Sequence, residues 1–322
     1  MLADRKIIFK AVVGSKLYGT DLSQSDDDFL GVFLPNREDL LGMATPPSEI
    51  TDNVKMSVTE KNTKGDVDCK YLSLKHFFKM LLEGQSGATE LLFVPEAKVL
   101  DYTWEWELIQ KSRDTFLSRR GVAPMIGFAA SQSHKSSIKG ANLNLIRKLL
   151  ENLAPYATGA TKLEDVIDIY GENYALLKGG VEIRHWKAED GTPVLEIAGR
   201  MFNFGATVKN FLIGLKKMEE KYGQRSETAA VLGVDTKSLS HAYRLISEAE
   251  EYLLHGTITF PRPDATFLKE IRSGRYQADF REEIAGKIRY LKEKVEPRSP
   301  LPKKPNYNKA NRLHMDLAGQ QL

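Results

Sequence analysis

Residues 7–34 constrain the fold of this chain more than any other stretch. Ile7-Ile8-Phe9-Lys10-Ala11-Val12-Val13 is an apolar, β-favouring run and reads as a buried strand. Gly14 ends it and lets backbone come close to a ligand. A short polar turn follows Gly14-Ser15-Lys16-Leu17-Tyr18-Gly19-Thr20, and the chain is then extended again through Ser25-Asp26-Asp27-Asp28-Phe29-Leu30-Gly31-Val32. Side chains alternate along a strand, so Asp26 and Asp28 are expected on one face and Asp27 on the other. Like charges on one face repel unless a cation or a base lies between them. Mg²⁺ suits such a pair, because it takes one or two protein carboxylates and fills its other positions with water and phosphate oxygens. A bare Asp-x-Asp is most often a solvated acidic loop. Here the apolar runs on both sides and the Gly-Ser turn argue for a site.

The chain has 322 residues, 42% of them hydrophobic and 28% charged, which is ordinary for one or two soluble globular domains. No apolar run approaches the roughly 18 residues a membrane span needs, so no membrane partner is expected. The amino end lacks the layout of a signal peptide. A single cysteine, Cys69, excludes an intramolecular disulfide framework and fits a reducing cytoplasm. It lies in an apolar segment and reads as core. The net charge of +3 is too small to declare a polyanion partner, so such an argument rests on local clusters.

Pro35 ends the second strand, and 36–39 open a short helix or loop. Residues 44–65 read as a surface connection with a possible short strand at 54–58. Asp66-Val67-Asp68-Cys69-Lys70-Tyr71-Leu72 is a third strand candidate. Leu74, Phe77, Phe78, Leu81 and Leu82 then give an amphipathic helix closed by Gly84. A second helix over 88–93 is stopped by Pro95. Beyond it the pattern is mainly helical: 104–118, 122–154, 206–221, 236–255, 264–274 and 279–294. The polar run 131–139 reads as a solvated helix face, and 157–165 as a loop. A β-hairpin is expected from 181–185 and 194–197. Lys237, His241 and Arg244 fall at i, i+4 and i+7 on one helix face, where they either meet an anion or sit in solvent beside carboxylates such as Glu248. The segment from 297 carries four prolines among lysines and reads as an extended wrap or arm. The expected class is α+β: a small mixed sheet with helices on one face (1–97), a mainly helical region with a hairpin (98–296) and an extended basic tail (297–322).

Gly14-Ser15, Ser25-Asp26-Asp27-Asp28 and a later strand with Asp68 together resemble the polymerase-beta-like nucleotidyltransferase superfamily. The closer resemblance is to its RNA-repair-pathway branch of bacteria and phages. That branch shows Gly-Ser-x-x-Tyr-Gly-Thr, Ser-Asp-x-Asp followed by Gly-Val, and an acidic segment like Thr89-Glu90-Leu91-Leu92-Phe93. It also shows a late Lys-x-x-x-His-x-x-Arg helix, here Lys237, His241 and Arg244, followed by Gly256-Thr257-Ile258-Thr259-Phe260-Pro261. Lys16 stands where the branch often has Arg, and Asp27 where an apolar residue is usual. Either Asp66 or Asp68 can be the third acid, and counting back from Phe77 favours Asp68.

The resemblance implies transfer of a nucleoside monophosphate from an NTP to an acceptor hydroxyl, most naturally of RNA or tRNA, with Mg²⁺ or Mn²⁺ as cofactor. It implies Asp26, Asp28 and Asp68 as metal ligands and catalytic acids. It implies Gly14, Ser15, Lys16, Tyr18, Ser25, Lys237, His241 and Arg244 around the nucleotide, with Arg200 a further phosphate candidate. Two other readings stand beside it: a nucleotidyltransferase that modifies protein hydroxyls, and a nucleotide-binding protein without catalysis.

Overall fold

The computed structural model describes residues 5–23, 25–43, 45–52, 67–166, 184–187, 191, 193–222, 224–276 and 280–322. The possible strand at 54–58, the acid Asp66 and the first residues of the expected hairpin lie outside the described residues. Two compact units are built from interleaved segments. Unit 1 gathers Met1–Ala130, His241–Glu270 and Ile284–Leu322, and unit 2 gathers Ser131–Ser240 and Ile271–Glu283.

The chain begins with β1 (Ile7–Val12), α1 (Ser15–Tyr18), β2 (Asp27–Phe33), α2 (Arg37–Leu41), β3 (Glu49–Thr51) and β4 (Val67–Ser73). It continues with α3 (Leu74–Glu83), α4 (Ser86–Leu91), β5 (Val99–Tyr102) and α5 (Trp104–Lys111). The five strands form one mixed sheet in the order β3-β4-β2-β1-β5. β1 pairs antiparallel with β2 and β5, whereas β2 and β4 run parallel. Helices cover one face, as the α+β expectation requires. There Phe9 of β1 stacks on Trp106 of α5 at 3.8 Å between centroids, and Phe77 of α3 lies 5.7 Å from the same indole. On the opposite face Phe33, Cys69 and Tyr71 form a small buried cluster, so Cys69 is a core residue.

Local chemistry sets the element ends. The Asn36 side chain accepts from the Asp39 N–H, and Asp39 answers by accepting from the Asn36 N–H, a capping box that starts α2. The Ser73 hydroxyl accepts from the His76 N–H and starts α3 directly off β4. Gly84 ends α3 at φ 75°, and a Cβ there would lie 2.2 Å from the Gly121 Cα. Only glycine permits both that conformation and that approach. β5 went unforeseen in the sequence because it is an edge strand with exposed side chains. Its place is fixed by backbone pairing to β1, which leaves no alternation to read.

The remaining elements are α6 (Val122–Leu153), α7 (Leu163–Val166), β6 (Arg184–Lys187), β7 (Pro193–Ile197), β8 (Arg200–Asn203) and α8 (Val208–Glu219). After them come α9 (Gln224–Leu232), α10 (Thr236–His255), α11 (Ala265–Arg272), α12 (Phe280–Tyr290) and α13 (Tyr307–Gly319). In unit 2, β6, β7 and β8 make an antiparallel sheet in sequence order. The expected hairpin therefore gains a third strand. Its connection puts Ala198 at φ 51° and Gly199 at φ 80°, a tight turn in which alanine is rare, so the residue types did not announce it. Leu145, Leu149 and Leu153 pack with Leu195, Ile197, Phe211 and Leu215 in the core of this unit. Arg147 reaches Glu219 at 2.8 Å and Glu227 at 2.6 Å. Within 131–139, Ser133 and Ser136 are buried, the Ser136 hydroxyl donating to the Ser133 carbonyl at 2.6 Å, while His134 and Lys135 are exposed as expected.

In unit 1, the segment from 297 is extended only as far as Asn306. That residue caps α13, its side chain accepting from the Lys309 N–H. The helix is anchored on α3, with His314 edge-on to Phe78 at 5.7 Å. Asn-x-x-Lys is a weak cap signal in a proline-rich context, which is why an arm was expected there. Among the described residues no helix is long and apolar enough to cross a membrane.

Candidate active site

The turn between β1 and α1 and the amino ends of β2 and β4 meet in one place. The Val13 N–H donates to the Asp28 carbonyl at 2.9 Å, which carries the β1–β2 ladder to the foot of Gly14. Gly14 sits at φ 67°, and a Cβ there would lie 2.3 Å from Asp28 Oδ2. The Asp28 carboxylate thus fills the space above the glycine, and no other residue fits. Asp28 and Asp68 are direct partners in the parallel register of β2 and β4. Register partners share a face, so both carboxylates stand on the same side of the sheet, about one strand spacing (~4.8 Å) apart at the backbone. Asp27 alternates to the other face, where its Oδ1 takes the Lys16 ammonium at 2.5 Å. Lys16 is held more firmly protonated than usual by that bond.

Asp26 lies one residue before the first residue of β2, so the ladder does not orient it. The Ser25 hydroxyl accepts from the Leu22 N–H at 2.9 Å and closes the turn before it. Among the described residues, no three His, Cys, Asp or Glu side chains come together as a closed metal cage. Two adjoining carboxylates over a glycine turn are still a fitting donor set for Mg²⁺ or Mn²⁺. They are hard oxygen ligands, and such ions keep several positions for water and phosphate. At the amino end of α1, the Leu17 and Tyr18 N–H groups both donate to the Gly14 carbonyl, each at 3.1 Å.

Tyr18 and Arg244 stand elsewhere, in a buried ionic cluster of unit 1. The Arg244 guanidinium lies 3.7 Å from the centre of the Tyr18 ring. It donates to Glu90 at 3.0 Å and to Glu248 at 2.5 Å, and the Tyr18 hydroxyl donates to the second Glu90 oxygen at 2.7 Å. Arg244, Glu90 and Glu248 are all at most 4% exposed. Burial pushes the Tyr18 phenol well above its usual range. It also pushes the Glu248 carboxyl up, to about 8, against the pull of Arg244. One oxygen of Glu248 has no hydrogen-bond partner among the described residues, which fits that direction.

Arg244 is therefore engaged by carboxylates, and of the expected phosphate row it belongs to the core. His241 is half-buried, with Nδ1 3.2 Å from an Arg244 nitrogen and its ring edge-on to Phe128 at 5.5 Å. Lys237 is exposed in unit 2, as is Arg200, whose guanidinium lies 5.3 Å from the Phe202 ring.

A second clasp holds the far end of α1. The Arg262 N–H donates to the Tyr18 carbonyl at 3.0 Å, and Gly19 packs under Pro261. The Arg262 side chain reaches Glu251 at 2.5 Å and the Ser247 hydroxyl at 3.0 Å, which ties the clasp to α10. The sequence singled out 256–261 but not Arg262. The signal available for the cluster was a lone acid, Glu90, inside the apolar α4, since such a carboxylate requires a buried cation.

Two comparisons relate these residues to known proteins. Residues 2–150 match the model of a family described as the RNA repair pathway DNA polymerase beta family. An uncharacterized 38.9 kDa protein in the nrdC-mobD intergenic region of Enterobacteria phage T4 is 29% identical over 287 residues, covering 84% of this chain and 84% of that one. No solved structure matches this chain. The stretch 2–150, which carries the Gly14-Ser15 turn, Asp26, Asp28, Asp68 and Glu90, is thus similar to the RNA repair pathway DNA polymerase beta family.

Proposed function

We propose that this protein is a nucleotidyltransferase that moves a nucleoside monophosphate from an NTP to a hydroxyl of RNA, with tRNA ends the leading acceptor. The observation that carries this reading is the pair Asp28 and Asp68, neighbours in register, with Asp28 seated over Gly14 at the mouth of α1. The family match over residues 2–150 supports the reaction class.

Asp28 and Asp68 would hold Mg²⁺ or Mn²⁺, and Asp26, just ahead of β2, is proposed as a further ligand. A divalent ion held there would neutralise the triphosphate and polarise a P–O bond of the phosphorus under attack. The N–H groups of Gly14 and Ser15 and the Ser15 hydroxyl cradle the phosphates beyond the bond that breaks. The acceptor oxygen attacks the α-phosphorus, its proton passes to an Asp68 carboxylate oxygen, and pyrophosphate leaves with the electrons of the broken P–O bond. Lys16 is close enough in sequence to that turn to change partner from Asp27 to a phosphate. His241 is proposed at the nucleotide or acceptor phosphates.

The test is incubation with each α-labelled NTP and Mg²⁺, with and without total tRNA. Label on RNA that is absent with Asp28→Asn supports the proposal. Label on protein instead would move the acceptor to a protein hydroxyl, and no label with any NTP would sink the reaction.

A further inference from the structure

Consecutive residues of the segment 302–309 line two hollows in unit 1. The first, about 370 Å³, is bordered by Arg119, Arg120, Lys292 and Lys303 against the single carboxylate of Glu296. The second, about 510 Å³, is bordered by Lys304, Lys309 and Tyr307, with Asp114 its one carboxylate. Arg120, Lys292, Lys303, Lys304 and Lys309 have no ion-pair partner among the described residues. Tyr307 is 65% exposed, a large aromatic face left in water.

The walls are fixed. The Tyr252 hydroxyl accepts from the Ser118 N–H at 2.9 Å and donates to the Ser118 carbonyl at 3.2 Å, which holds the turn that carries Arg119 and Arg120. Arg119 acts as a strut: its Nε donates to the Leu301 carbonyl and its backbone N–H to the Pro302 carbonyl, each at 2.9 Å. The Asn306 N–H donates to the Thr115 carbonyl at 2.8 Å. The remaining cations therefore project from a braced segment.

Five unneutralised cations spaced along a braced track match the repeating charge of a phosphodiester chain. An exposed aromatic beside them adds a stacking platform for an unpaired base, which a duplex hides and an acidic peptide lacks. We infer that this track binds single-stranded RNA, phosphates on Arg120, Lys292, Lys303, Lys304 and Lys309 and one base on Tyr307. The inference rests on the reading of RNA as acceptor and assigns where on the chain that RNA is held.

The experiment is fluorescence anisotropy with the full chain, without NTP or metal, using a labelled oligouridylate and a blunt RNA duplex. The wild type should prefer the single strand. The triple variant Lys303→Ala, Lys304→Ala, Lys309→Ala should bind it at least tenfold more weakly, with a salt slope lower by roughly 2, since each lost single-strand phosphate contact removes about 0.7. Tyr307→Ala should weaken single-strand binding by roughly five- to a hundredfold and leave the salt slope unchanged. Thermal melts should match the wild type, because these side chains are exposed. A double control, Lys79→Ala with Lys111→Ala, should bind as the wild type does. Equal affinity for duplex and single strand, or triple-variant binding equal to wild type, overturns the track. Label transfer to RNA is measured separately, so transfer that persists with an unaffected triple variant sinks the track alone, whereas a wild type that labels no RNA sinks the reading of RNA as acceptor.

Discussion

Gly14 is where backbone conformation and chemistry coincide. Its positive φ costs any other L-residue about 1–2 kcal/mol, and a Cβ would displace the Asp28 carboxylate. Gly14→Ala should therefore reduce transfer by at least a hundredfold while lowering stability only modestly, read from initial rates and a melting curve. A variant that keeps its rate would detach the turn from the chemistry. Asp28→Asn and Asp68→Asn are near-isosteric and half-buried, so each should leave the melt within a few degrees and abolish transfer; a surviving rate in Asp68→Asn would point to Asp66. Much at this scale was legible in the sequence. The glycine turn and the place of Asp28 on a strand directly after it follow from residue types and the period of two. What was not legible is which acid meets which. That depends on the register between β2 and β4, set by a backbone ladder across a connection of more than thirty residues.

The four-residue helix α1 cannot hold itself, since so short a helix lacks cooperative support. Its grip comes from outside: Arg244 and Glu90 on Tyr18, Arg262 and Pro261 at its end. Arg244→Ala would leave Glu90 and Glu248 buried without their cation, a loss of roughly 3–5 kcal/mol. Arg244→Lys restores charge without the two-pronged fork and should recover only part of it, measured by urea unfolding. The apolar stripe of α10 was readable from its spacing, and Ala242, Leu245, Ile246, Ala249 and Leu253 are all buried. The destination of Arg244 was not, because helical spacing shows which residues share a face but not what that face meets.

The ion pairs also set a pH response. The Arg5 guanidinium holds the Asp39 carboxyl below its usual range. Burial pushes Glu251 up, but the Thr259 hydroxyl and Arg262 more than offset it and leave it lowered. Groups lowered in the fold stabilise it fully above their unfolded values, near 4, and lose that contribution as pH falls through their folded ones. Stability should therefore drop as pH falls below about 4, and Glu251→Gln should flatten that fall in a pH series of urea midpoints.

At the scale of the whole molecule, unit 1 draws on three separated stretches of chain. The stretch recognisable as family, 2–150, contains Tyr18 and Glu90 but not the arginine that satisfies them. A fragment of residues 1–130 should show no cooperative melt, and one that unfolded sharply would show that the sheet supports itself. The helices and first strands were foreseeable because their apolar periods are local. The interleaving was not, since it rests on contacts far apart in sequence. The buried bridge from Glu90 to Arg244 thus has an evolutionary corollary. Recombination between relatives that exchanged only the amino-terminal stretch would transplant the acidic pair yet strand a carboxylate in oil, so the late helix should travel with it or co-vary to match.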